Sequence, residues 1–209
     1  MPKNYFSWAS IFLLVLSLVA FSDNLFYDIG QESNSDPKFI IHGLFFLAWF
    51  VILVIQSNFI RKGDIRAHRK WGMWGMGIAL GVILSTFYVF YAVYEGWSEM
   101  EGFVKANRIL TLTFAIFVLL AYLSRKAPAA HKRYIFVGTL YILGPVIDRV
   151  ADKLGGSSDL SFFLFETVIW HGLFISLLIY DWKTLKKLHP ISWMGFIWFF
   201  LIWLFTWIY

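Results

Sequence analysis

Residues 39–60 read FIIHGLFFLAWFVILVIQSNFI, and residues 61–70 continue at once as RKGDIRAHRK. At a rise of about 1.5 Å per residue, an apolar run of roughly 20 residues spans the hydrocarbon core of a bilayer as a helix. Its only ionisable side chain is His42, and five cations (Arg61, Lys62, Arg66, Arg69, Lys70) close it abruptly. An apolar run ended by a basic cluster marks a transmembrane helix meeting the cytoplasmic border.

The pattern repeats outward from this stretch. Seven apolar runs fall at roughly 5–27, 38–60, 71–94, 106–124, 133–151, 161–181 and 191–209. The connections alternate in charge. Segment 61–70, segment 125–133 (Arg125, Lys126, Lys132, Arg133) and segment 182–189 (Lys183, Lys186, Lys187) are basic. Segments 28–38 (Asp28, Glu32, Asp36), 95–105 (Glu95, Glu99, Glu101) and 152–160 (Asp152, Asp159) are acidic or mixed. Counted with Lys3, 13 of the 18 Lys and Arg residues fall on one side. The positive-inside rule makes that side cytoplasmic, with the N-terminus inside and the C-terminus outside. The expected fold is an all-α integral membrane bundle of seven transmembrane helices, one domain over 1–209, in a bacterial inner membrane.

Composition agrees. Of 209 residues, 59% are apolar, 21% aromatic and 15% charged. A soluble domain of this size cannot bury so much apolar surface, so disorder, a coiled coil and a cytosolic enzyme are excluded. The net charge of +5 is an orientation signal rather than a nucleic-acid footprint. Absence of cysteine removes disulfides, thiolate metal sites and Cys nucleophiles. The first run, with Lys3 before it and Ala20-Phe21-Ser22 after it, also fits a cleavable signal peptide, which leaves six spans. Asn34-Ser35-Asp36-Pro37 and Gly155-Gly156-Ser157-Ser158 read as turns on the outer side.

Two weak repeats run through the chain. His42-Gly43-Leu44-Phe45 matches His171-Gly172-Leu173-Phe174, and Ala67-His68-Arg69-Lys70-Trp71 matches Ala130-His131-Lys132-Arg133-Tyr134. Lys186-Lys187-Leu188-His189-Pro190 is a third basic loop ending in His. Each helical hairpin thus has a His just before its return helix.

Chemistry is expected at polar residues placed at apolar depth. By helical rise, His42 lies about 6 Å and Glu166 about 8 Å below the outer border, with Asp148 and Arg149 within about 5 Å of it. His171 lies near the midplane. Pro145 lacks an N–H and its ring opposes the Tyr141 carbonyl, which predicts a kink beside the charges. The functional reading is an outward-opening site. His42 and His171 are its candidate haem or metal ligands, and Asp148 and Glu166 are ligands or proton acceptors. The structural reading has Asp148 and Arg149 pairing with each other's neighbours near the interface and Glu166 reaching water. A haem held by His42 and His171 together is disfavoured by a depth difference of about 10 Å. His68, His131 and His189 form a weaker candidate set, since flanking Lys and Arg suit anionic lipid headgroups better than a metal. Gly77-x-x-x-Gly81 followed by Ser85 reads as a helix-packing face.

On these residues the chain resembles a group of uncharacterised bacterial multipass membrane proteins. The resemblance covers His42, Arg61…Gly63…His68-Arg69…Gly72, His131-Lys132-Arg133, Pro145…Arg149 and Tyr180-Asp181…Leu188-His189-Pro190. It implies membership and no activity. The spacing of histidines is also similar to transmembrane b-type cytochromes, which implies an outer pair at His42 and His171 and an inner pair at His68 and His131. His68 and His131 are expected in loops, which departs from that pattern. Three functions stand as expectations: a redox protein holding haem b or a transition metal, a proton-coupled transporter using Asp148, Arg149, Glu166 and His171, or a non-catalytic subunit of a membrane complex. The expected partners are the lipid bilayer and other membrane subunits, without nucleic acid.

Overall fold

A computed structural model describes residues 4–154 and 159–208, and every regular element among them is helical. Lys3 and the expected turn at Gly155–Ser158 lie outside the described residues. The helices are α1 (Tyr5–Ala20), α2 (Ser22–Leu25), α3 (Pro37–Lys62), α4 (Ile65–Ala92), α5 (Gly102–Leu123), α6 (Pro128–Tyr141), α7 (Gly144–Lys153), α8 (Asp159–Glu166), α9 (Gly172–Leu185) and α10 (Pro190–Ile208). Short 3-10 and π turns occupy Glu32–Asn34 and Thr167–His171.

Four helical runs are long and apolar enough to cross a bilayer: Pro37–Lys62, Ile65–Ala92, Gly102–Leu123 and Phe162–Leu185. The pair α6 and α7, bent by 51°, makes a fifth if it is one span. Tyr5–Ala20 and Pro190–Thr206 are apolar but shorter. All seven expected segments are therefore helical, while length and composition qualify four or five of them as spans.

The chain divides into two units, Met1–Ala92 and Val93–Tyr209. In the first, α3 packs along α4 and α1 packs on α3. Leu13, Leu16, Phe46, Trp49, Phe50, Ala79 and Val82 form its buried apolar core. A hydrogen bond of 2.8 Å between the Ser10 and Ser57 hydroxyls ties α1 to α3. The turn expected at Asn34–Pro37 is present: Asp36 caps α3 by accepting from the Lys38 N–H at 2.9 Å, and Pro37 takes the first helical position.

The basic connection after α3 is shorter than expected, because both helices run into it. Gly63, at φ 79°, ends α3 in the left-handed region that suits glycine, and Asp64 accepts from the Ala67 N–H at 2.9 Å to start α4. His68 therefore sits in the first turns of a helix, not in a loop. His131 does too, since Pro128 opens α6. The hairpin repeat is visible in what these histidines touch. His131 Nδ1 bonds the Ala121 carbonyl oxygen of α5 at 2.8 Å, and Gln56 on α3, with its amide turned so that both ends find partners, donates to His68 Nδ1 at 2.6 Å. In both hairpins a His in the first turns of the return helix reaches back to the helix before it.

The glycine face of α4 is split. A Cβ on Gly81 would meet the Phe45 ring at 2.3 Å, whereas Gly77 has nothing within 4 Å. Gly81→Ala is expected to cost about 1–3 kcal/mol by forcing Phe45 aside. Gly77→Ala is expected to be neutral or to stabilise by up to about 1 kcal/mol through helix propensity. Thermal unfolding in detergent separates the two, and equal effects would contradict this packing.

In the second unit, α5 and α6 pack closely and α10 lies against both. Leu110, Phe114, Val137, Leu140, Tyr141 and Phe199 on these helices, with Phe174 of α9, are buried. Gly195 lets α10 approach α6: a Cβ there would fall 2.6 Å from Val137 Cγ1. The Tyr141 hydroxyl donates to the Gly195 carbonyl at 3.0 Å across the same crossing.

Candidate functional site

The break before Pro145 is present where its chemistry requires one. Helix α6 stops at Tyr141 and α7 begins at Gly144, so Pro145 occupies a first-turn position that needs no N–H donor. A break leaves carbonyls open, and the Trp170 indole N–H fills one of them by donating to the Leu140 oxygen at 2.7 Å. Gly144 keeps the break narrow. A Cβ there would meet Asn107 Oδ1 at 2.7 Å and the Trp170 ring at 3.2 Å.

A small cavity in the second unit opens against this break. It is lined by Asn107 and Leu110 on α5, Gly144 and Asp148 on α7, Glu166 and Trp170 around the π turn, and Phe199, Trp203 and Thr206 on α10. Its free space, about 40 Å³, suits a few waters or one small ion. Asp148 and Glu166 are both half-buried, and each bears electrostatically on the site: the Glu166, Asp152 and Arg149 charges act on Asp148, and Trp203 is the polar neighbour of Glu166. Two acids brought to one apolar-walled cavity need compensation by a proton or a cation.

Glu166 owes its place to a second irregularity. The helix widens into a π turn over Thr167–His171 directly after it. Such turns recur at functional sites and shift the register of the next helical turns. His171 Nδ1 lies 3.1 Å from the Thr167 carbonyl oxygen, which can only accept, so Nδ1 carries the proton. The ring is buried among Phe196, Phe199, Phe200 and Trp203, with centroids 4.7–6.0 Å away, and among the described residues Nε2 has no hydrogen-bond partner.

His42 belongs to the first unit. Ser85 and Thr86 each donate their hydroxyl to the Val82 carbonyl, at 3.1 and 2.6 Å. Their oxygens therefore accept from His42 Nδ1, at 3.2 and 3.5 Å, which leaves Nε2 as its unprotonated nitrogen. The repeated His-Gly-Leu-Phe motif thus sits in two settings, a regular helix turn at His42 and a π turn at His171. Among the described residues no three His, Asp or Glu side chains converge to hold a metal ion. His42 and His68 belong to the first unit, and Asp148, Glu166, His171, His131 and His189 belong to the second.

No protein-family model, curated protein or solved structure matches this chain.

A second polar assembly lies at the other end of the second unit. Arg133 and Asp181 are 1% and 0% exposed and form a salt bridge. Arg133 Nε donates to both Asp181 oxygens at 3.0 and 3.3 Å, and its Nη1 donates to the Ala129 carbonyl at 2.7 Å. Asp181 also accepts from the His189 backbone N–H at 3.2 Å, and Lys132 Nζ donates to the Tyr180 hydroxyl at 2.9 Å. In the sequence Arg133 stands among loop cations. The usable signal for its role is a pair of opposite charges at matching borders of the fifth and sixth runs.

His189, in the connection between α9 and α10, feels that assembly. Burial, then the Arg133 charge, hold its imidazole below the ordinary value of 6.5, with Asp181 pulling the other way. The unfolded chain takes up this proton at a higher pH than the folded one, so the contribution to stability is complete above pH 6.5 and is lost as pH falls through the folded value. The unfolding temperature is expected to drop on acidification below that point, and His189→Gln should flatten the dependence. An unchanged slope in the variant would contradict it.

Proposed function

We propose that this protein is a proton-coupled carrier of small cations, using Asp148 and Glu166 as its exchange site. The observation that carries the reading is one small cavity holding both carboxylates, flanked by a broken helix on one side and a π turn on the other. Interrupted helices at membrane depth expose backbone groups that cavities and ions then satisfy, and membrane carriers place their sites at such breaks. A proton and a cation compete for the same pair of carboxylates, so uptake of one releases the other. Arg149 adjoins Asp148 in sequence and balances part of its charge. Seven spans, an N-terminus inside and a bacterial inner membrane complete the proposal, supported by the charge alternation of the connections.

Everted membrane vesicles energised to an acidic interior test it. Addition of Li⁺, Na⁺, K⁺, Ca²⁺ or ammonium is expected to relieve the pH gradient in vesicles carrying the protein for at least one cation. No response to any of them, relative to vesicles lacking the protein, would overturn it.

A redox reading rests on a different observation. Both His42 and His171 hold their proton on Nδ1, leaving Nε2 without a proton, as metal-ligating imidazoles do. An oxidised-minus-reduced visible spectrum with elemental analysis of purified protein tests it: a haem or metal lost in His42→Ala or His171→Ala supports it, and a colourless, metal-free sample refutes it.

A further inference from the structure

The long run Phe162–Leu185, formed by α8, the π turn and α9, carries a functional acid near each end. Glu166 lines the cavity, and Asp181 lies 15 residues further on, about 22 Å along the axis. Between them, contacts with the rest of the unit are of two kinds. Near the middle, Trp170 and Phe174 pack on Phe199 with centroids 4.7 Å apart, and Phe174 also stacks on Phe196. Trp170 lies at a tilt on Phe199, and its indole N–H also donates to the Leu140 oxygen of α6 at 2.7 Å, so the middle of the run is a pinned point about which its ends can turn. Elsewhere α9 meets α6 at only a few positions, unlike the close packing of α5, α6 and α10. Its far end is fixed by polar contacts: the Arg133–Asp181 pair, the His189 N–H on Asp181 and the Lys132–Tyr180 bond.

We propose that the Arg133–Asp181 pair is a latch that closes the cavity toward the face carrying the basic connections, and that the α8–α9 run rocks on its aromatic midpoint when the latch opens. This rests on the carrier reading, because it assigns the second gate of the same exchange site. The geometry couples the ends: releasing Asp181 swings the lower half of the run away from α6, and Glu166 moves with the upper half. A buried guanidinium and carboxylate are suited to two discrete states, since their attraction falls steeply once water enters between them.

The natural absence of cysteine provides the test. Leu177 is fully buried one turn from Asp181 on the cavity side. In a Leu177→Cys protein reconstituted in vesicles, a membrane-impermeant maleimide is expected to react slowly from either face. Adding Arg133→Gln and Asp181→Asn together removes both charges without leaving one bare, so the protein still folds. Labelling from the face with the basic connections should then rise at least about tenfold, while labelling from the opposite face stays the same. The reversed pair, Arg133→Asp with Asp181→Arg, should bring the rate back toward the parent. An unchanged rate in the neutral pair overturns the latch. So does an equal rise from both faces with a lowered unfolding temperature, which would mark a static brace. Labelling needs no transported cation, so a failed cation assay with this pattern intact refutes the carrier and not the latch.

Discussion

Asp148→Asn is expected to reduce cation-dependent relief of the pH gradient by at least about 100-fold, with the protein still folded and membrane-inserted. The cavity has two acids, and the site works only if both can share and exchange the compensating charge. Removing one acid from a low-dielectric pocket removes an attraction of several kcal/mol for a bound cation, and each 1.4 kcal/mol is a factor of ten. Glu166→Gln should do the same. Asparagine and glutamine preserve size and hydrogen bonding, so the unfolding temperature should change little. Asn107→Ala gives the contrast: Asn107 lines the cavity without a charge, and its loss should weaken exchange without abolishing it. Retained exchange in Asp148→Asn would remove the carboxylate pair from the mechanism.

Arg133→Ala and Asp181→Ala are each expected to destabilise the protein by about 3–5 kcal/mol, the largest single-residue losses in the second unit. Both side chains are shut off from solvent, and either change leaves the other as an uncompensated buried charge. Replacing the pair with apolar residues of similar volume, Arg133→Met with Asp181→Leu, should recover most of that loss, because neither charge is then left behind. Thermal unfolding of the four proteins in one detergent reads the difference. If both single variants unfold with the parent, the pair contributes nothing to the fold.

Much of the architecture is legible in the sequence because the bilayer imposes a length and a polarity on each segment. The apolar run at 39–60 and the basic cluster after it fix α3 and α4 to within a few residues at most ends. The start of α4 is the exception: Asp64 caps it and extends it back across His68. Pro145 announces the break in α6–α7, since its ring cannot follow the Tyr141 carbonyl in a helix. The π turn at Thr167–His171 is not legible, because no residue in TVIWH forbids an ordinary turn there.

The carboxylates of the site are legible as costly residues at apolar depth, and Asp148 and Glu166 do share a cavity. Their neutral partners are not. Asn107, Trp170 and Thr206 are ordinary on an aromatic-rich helix until α5, α7 and α10 are packed together. The histidines mislead in the opposite direction. Repetition of His-Gly-Leu-Phe suggests equivalent roles, but a regular turn holds His42 and a π turn holds His171, so the same four letters give two environments. Arg133 is hidden in a basic segment that reads as a lipid-headgroup anchor, whereas its own charge finds Asp181 and its neighbour Lys132 finds the Tyr180 hydroxyl.

The most direct measurement is the charge displaced when purified protein, adsorbed on a solid-supported membrane, receives a step in pH. Protonation of the cavity moves charge into the membrane whether or not a second solute is present. The parent protein is expected to give a transient current that disappears in the Asp148→Asn, Glu166→Gln double variant. A current of the same size in the double variant, or none in the parent, contradicts the carboxylate exchange site.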